Sequence, residues 1–135
     1  MEIDKELERQ ISPLLSRQTD DDPQQDILLL ITSETIGNMK PVLGRKLMNS
    51  FLYSLTEMPP RIRSIIFING GVKLAFKNAK SRESLSVLHD AKVGIIICEE
   101  SLHYYGDMSN LALGRCVSMY TIADMLLSAQ KVISI

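Results

Sequence analysis

Five apolar residues in succession, Ile27-Leu28-Leu29-Leu30-Ile31, have the length of a β-strand and none of the polar alternation of a strand with one wet face. Such a run belongs to a strand covered on both sides, which is the habit of parallel sheets. Helical periodicity follows it. Pro41 suits a first helical position, and Leu43, Leu47, Phe51 and Leu55 recur every fourth residue with Met48 and Leu52 beside them, before Pro59-Pro60 stops the helix. The same alternation repeats along the chain. A second strand is expected over residues 64–68 and ends in Asn69-Gly70-Gly71, residues that tolerate positive φ; Ser81 then stands where it can cap a helix carrying Leu85, Leu88 and Ala91. A third strand spans 93–98, a short helical piece 100–105, a weaker strand 115–118, a helix with Ile122, Leu126 and Ala129, and a last strand 131–135. Strands joined through helices imply right-handed crossovers, so the expected fold is α/β: a three-layer sandwich around a mostly parallel sheet of about five strands.

Residues 1–25 differ from the remainder. They hold seven acidic and three basic side chains, net −4, whereas residues 26–135 hold nine and twelve, net +3. Within them Ile3, Leu7, Ile11 and Leu14 recur at helical spacing before a polar break at 19–23. The reading is an amphipathic arm and linker, 1–25, attached to one α/β domain, 26–135. The arm's acid-rich polar face suits packing on its own body or a sister subunit better than on anionic lipid.

With 135 residues, 45% hydrophobic and 23% charged, the chain has room for one compact domain with a genuine core. A net charge of −1 offers no field for a phosphate backbone, so nucleic-acid binding is not expected. No apolar run approaches a membrane span and no secretory leader pattern opens the chain. Two cysteines without Cys-x-x-Cys spacing do not make a disulfide scaffold, and a cytoplasmic, unprocessed protein is expected.

Ligands of open parallel sheets gather beyond the carboxyl ends of the strands. Those ends are residues 32–38 with Ser33, then Asn69-Gly70-Gly71, then Cys98-Glu99-Glu100-Ser101. The first loop is rich in hydroxyls and suits a phosphate, but it has neither of the glycine-rich nucleotide motifs, so an ordinary turn is the stronger reading. Cys98 is placed where a buried strand meets a helix start, a position that makes a thiol reachable and favours thiolate. Position alone nevertheless favours an inert, buried cysteine, and the carboxylates of Glu99 and Glu100 also disfavour a thiolate. Cys116 reads as core. His103, five residues after Cys98, is a candidate base and more simply a surface histidine; Tyr104 and Tyr105 line a pocket or a subunit contact, or pack in the core. Cys98, Glu100 and His103 lack zinc-ligand spacing, so no metal is assigned, and no cofactor. No Gly-x-Ser-x-Gly elbow is present.

Five pieces, ILLLITSETIG, LGRKLMNSFLYSLTE, IIFINGGVKLA, YYGDMSNLALG and SMYTIADMLLSAQKVISI, resemble in order the DsrE-like domain of sulfurtransferase-like selenium metabolism proteins, the YedF type. The resemblance implies a DsrE/DsrF-like fold, homo-oligomers and cysteine persulfide passed between proteins. Members carry Cys-Gly-x-Cys after the third strand; here the first cysteine is Cys98, the glycine position is Glu99 and the second cysteine position is Ser101. The relay implied is therefore single-thiol. Cys98 would carry sulfur, Ser33, Asn69, Gly70, Gly71, Glu99, Glu100, Ser101, His103 and Tyr105 would surround it, and a separate donor protein of TusA type would supply it. The competing expectation is a non-catalytic binding or regulatory homologue that has lost the two-cysteine site. A phosphate or nucleotide binder built on the 32–38 loop is a third.

Overall fold

A computed structural model describes residues 26–58 and 61–135; the expected arm and the Pro59-Pro60 helix stop lie outside the described residues. In chain order the elements are β1 (Ile27–Ile31), α1 (Pro41–Thr56), β2 (Ser64–Phe67), a 3-10 helix (Asn69–Ala75), α2 (Arg82–Asp90), β3 (Gly94–Cys98), α3 (Glu99–Tyr105), a 3-10 turn (Met108–Asn110), β4 (Arg115–Val117), α4 (Met119–Ser128) and β5 (Lys131–Ser134). The strands form one sheet in the order β4-β3-β2-β1-β5, and every pairing is parallel. The expected α/β sandwich is what the chain forms.

Topology decides which face each helix covers. The connections from β1 through β4 step one way across the sheet, and the last steps back past β1, so right-handed crossovers put α1, α2 and α3 on one face and α4 on the other. Side chains divide accordingly. Leu29, Ile31, Ile65, Phe67, Ile95 and Ile97 pack with Met48, Leu52, Leu85, Leu88 and Leu102 on the first face, while Leu28, Ile66, Ile96 and Cys98 pack with Ile122 on the second. Alternation along each strand feeds both cores, which is why β1 needed an uninterrupted apolar run.

Three local expectations change in the folded chain. On α1 the fully buried line is Gly44, Met48 and Leu52, whereas Leu43 and Leu47 of the expected stripe are exposed. Gly44 is buried because α1 docks on the loop after β1: Ile36 N–H donates to Gly44 O at 3.0 Å, and a Cβ on Gly44 would come within 2.8 Å of Thr35 Cβ. That close approach turns the helix by one position relative to its most apolar stripe. Ser81 stands at the N-cap of α2, but with helical φ and ψ and no side-chain capping bond; its buried hydroxyl donates instead to Leu74 O at 2.7 Å, tying the start of α2 to the 3-10 helix. Of Asn69-Gly70-Gly71, only Asn69 has positive φ, at 52°. Gly71 serves a different need, since a Cβ there would lie 2.5 Å from Ile31 O at the end of β1.

Candidate functional site

Because β1, β2 and β3 are parallel, their carboxyl ends meet along one edge, and the segments leaving them are joined by hydrogen bonds. Asn69 stands at the hub, held in left-handed backbone geometry at the start of the 3-10 helix. Its N–H donates to Ser101 Oγ at 2.7 Å, and its side-chain Oδ1 accepts from the Tyr105 hydroxyl at 3.1 Å. Ser101 and Tyr105 both belong to α3, so this pair of bonds fixes the short helix against the turn after β2. At Gly70 the Tyr105 hydroxyl lies 3.7 Å from where a Cβ would be, an ordinary contact that does not require glycine.

Lys73 extends the cluster toward β1. Its Nζ sits 4.5 Å from the centroid of the Tyr105 ring and 3.8 Å from Glu34 Oε1. A cation over an aromatic face and beside a carboxylate gains from both, and each contact is solvent-screened here because both charged side chains are more than a third exposed. In the same loop Ser33 Oγ accepts from Thr35 N–H at 3.2 Å and pairs with Thr35 Oγ1 at 3.1 Å, while Thr35 Oγ1 donates to Gly37 O at 2.8 Å. The hydroxyls of Ser33 and Thr35 thus bond within the loop itself, as expected of Ser/Thr turns.

Cys98 ends β3 and stands immediately before α3, at the same sheet edge. Its side chain, only 1% exposed, points to the other face, into the core with Leu28, Ile66, Ile96 and Ile122 beneath α4. The alternation that turns Ile97 toward α2 and α3 turns Cys98 away from them. Tyr105 packs with the first core. The backbone of Cys98 therefore lies beside the Asn69 cluster while its thiol does not join it. Glu99, Glu100 and His103 are all exposed, and Ser101 is half-buried.

Cys116 on β4 stands opposite Ile97 in register and packs with the first core, on the face away from Cys98. Both cysteines are free. Burial pushes the Cys116 thiol up from its ordinary value, with smaller contributions from the negative charge of Glu99 and from Cys98. Asp107, after α3, is held below the usual carboxylate value by the Ser109 hydroxyl, then by Ser109 N–H, and least by His103.

The structure joins Asn69, Ser101 and Tyr105 by hydrogen bonds, with Gly70 beside the Tyr105 hydroxyl and Gly71 against Ile31 O at the end of β1. Ser33 lies in the neighbouring loop, and Glu99, Glu100 and His103 line the outer side of α3. Sequence reasoning missed Lys73 and the role of Glu34. A lysine two residues beyond Gly-Gly, following a strand end, was the available signal. Among the described residues, no three His, Cys, Asp or Glu side chains group as metal ligands, and no helix is long and apolar enough to cross a membrane.

An all-parallel five-stranded sheet in the order 4-3-2-1-5, with helices on both faces, is a DsrE-like α/β fold. A solved structure similar to it is the ychN protein from E. coli, which superposes with a TM-score of 0.64 at 16% identity, covering 83% of this chain and 100% of that one. That likeness shows the fold. No protein-family model and no curated protein matches the sequence.

Proposed function

We propose that this chain is a single-thiol sulfur carrier in which Cys98 accepts and passes on sulfane sulfur. The observation that carries the reading is the position of Cys98 in a DsrE-like fold, at the carboxyl end of β3 and directly before α3. In the transfer, the Cys98 thiolate attacks the outer sulfur of a donor persulfide, the donor thiolate leaves, and Cys98 becomes the persulfide. An acceptor thiolate then attacks the outer sulfur and releases Cys98 as thiolate. No net oxidation occurs, so one cysteine suffices. With its thiol beneath α4, Cys98 reacts only when that helix moves aside, which protects a bound persulfide from stray thiols and ties transfer to partner docking.

The donor is proposed to be a separate protein of TusA type, and the compartment the cytoplasm, in keeping with two unpaired cysteines. Copies of the chain are proposed to associate, a reading supported by the exposed edge strand β5 and by Tyr120 and Leu127 on the outer face of α4. The alternative is a binding or regulatory homologue without sulfur chemistry. Burial of Cys98 and the use of Ser101 as a structural acceptor for Asn69 N–H favour it.

Intact-mass analysis after exposure to a persulfide donor separates the two. The carrier gains the mass of one sulfur atom in the wild type and none in Cys98→Ser. Equal gain in both, or none in either when the wild type is folded, would overturn the carrier reading.

A further inference from the structure

The helix stripe that the sequence presents for burial is the one the fold leaves uncovered. Leu43 and Leu47 of α1 are 53% and 43% exposed, and Val42 and Met39 beside them 62% and 84%. Four large apolar side chains within nine residues form an exposed patch of the kind that marks an interaction surface. Its charges have one sign. Lys40, Arg45 and Lys46 are all exposed, α1 itself carries no carboxylate, and none of the three cations has an ion-pair partner among the described residues.

Two occupants are offered by this chain. A second copy docking the same face about a two-fold axis would set these cations against their own images, which costs energy instead of gaining it. Residues 1–14 have a complementary balance: Ile3, Leu7 and Ile11 at helical spacing ahead of Pro13 and Leu14, with the four carboxylates Glu2, Asp4, Glu6 and Glu8 outnumbering Lys5 and Arg9, net −2. Reach is adequate, since the eleven residues 15–25 can bridge up to roughly 36 Å, more than the approximately 24 Å length of α1. Attachment at Asp26 also gives the arm a high effective concentration at its own body.

We propose that residues 1–14 dock on the Met39, Val42, Leu43 and Leu47 face of their own chain, apolar stripe to apolar patch and acidic flank to Lys40, Arg45 and Lys46. This assignment is independent of what Cys98 does.

Hydroxyl-radical footprinting of the full chain tests it, because Met39 reports on the face and Met108, 58% exposed on the turn after α3, reports on the fold. An arm docked nine-tenths of the time slows Met39 oxidation roughly tenfold relative to an open face. Substituting Ile3→Asp, Leu7→Asp and Ile11→Asp together is expected to restore Met39 to a rate like that of Met108, leave Met108 unchanged, and act equally at all protein concentrations. Protection that survives these substitutions and falls on dilution assigns the face to a second copy's body and overturns the proposal. Protection lost both on dilution and on substitution assigns it to a second copy's arm and overturns docking within the chain. A wild-type Met39 that oxidises as fast as Met108 shows an open face and overturns it outright.

Discussion

Replacing Ile122 with alanine tests whether α4 gates Cys98. Ile122 is the fully buried residue of α4 and shares its core with Cys98, Leu28, Ile66 and Ile96. Truncating such a side chain costs about 2–5 kcal/mol through lost burial and the cavity left behind. When labelling requires α4 to lift, the contacts of Ile122 are lost in the open state, so their removal from the closed state lowers the opening free energy by the same amount. Taking the lower figure of about 2 kcal/mol, the open population and the alkylation rate of Cys98 rise roughly 30-fold, since about 1.4 kcal/mol is tenfold. The assay follows alkylation site by site with mass spectrometry in native buffer, with Cys116 as internal reference and urea unfolding to measure the stability change. Cys116 lies on the opposite face, so its rate changes far less than that of Cys98. A variant destabilised by the expected amount in which Cys98 labels no faster than wild type would show that the thiol reaches solvent by a route other than movement of α4, and the gating argument would fall.

Other expectations follow from the same geometry. Gly71→Ala drives a Cβ to 2.5 Å from Ile31 O, a backbone atom that cannot swing aside, and should lower unfolding stability by the upper end of about 1–3 kcal/mol, read from the denaturant midpoint. Ser81→Ala leaves the buried Leu74 carbonyl without its hydroxyl donor and should cost about 1–3 kcal/mol; a loss within experimental error would mean that water replaces the bond. Cys116 alkylation should begin at a pH above that of a free thiol, and Glu99→Gln should move its onset downward, because removing a negative charge favours thiolate; an upward move would contradict the sign. The Asp107 carboxyl is held below its ordinary 3.8, so ionisation supports the Met108–Asn110 turn. That support is complete above the ordinary value and disappears as pH falls through the depressed one, which amide chemical shifts of Ser109 would follow.

Much of the architecture was written locally. The apolar run 27–31, Pro41 at a helix start and the repeated strand-helix alternation led directly to five strands and their helices, with ends displaced by a residue or so: β2 stops at Phe67, β3 begins at Gly94 and α3 begins at Glu99. Asn69, Gly70 and Ser101 stand out in the sequence because ligands of parallel sheets gather at strand ends, and Tyr105 because it lies on the helical piece that follows the third strand. Their bonding to one another was not legible, since Asn69 and Tyr105 are 36 residues apart and meet only once β2 and β3 pair.

Periodicity and composition by themselves determined what each segment becomes, because strand and helix patterns are carried by neighbours within a few residues. The tertiary structure decided where each side chain goes. A sheet has two faces, and which of them receives Cys98 depends on register with β2 and β4 and on the crossover that places α4. The rotation of α1 was decided by the close contact of Gly44 with Thr35, which buries a glycine and leaves Leu43 and Leu47 outside. Local pattern measures how much apolar surface a segment offers; only the packed neighbours determine which part of it is covered.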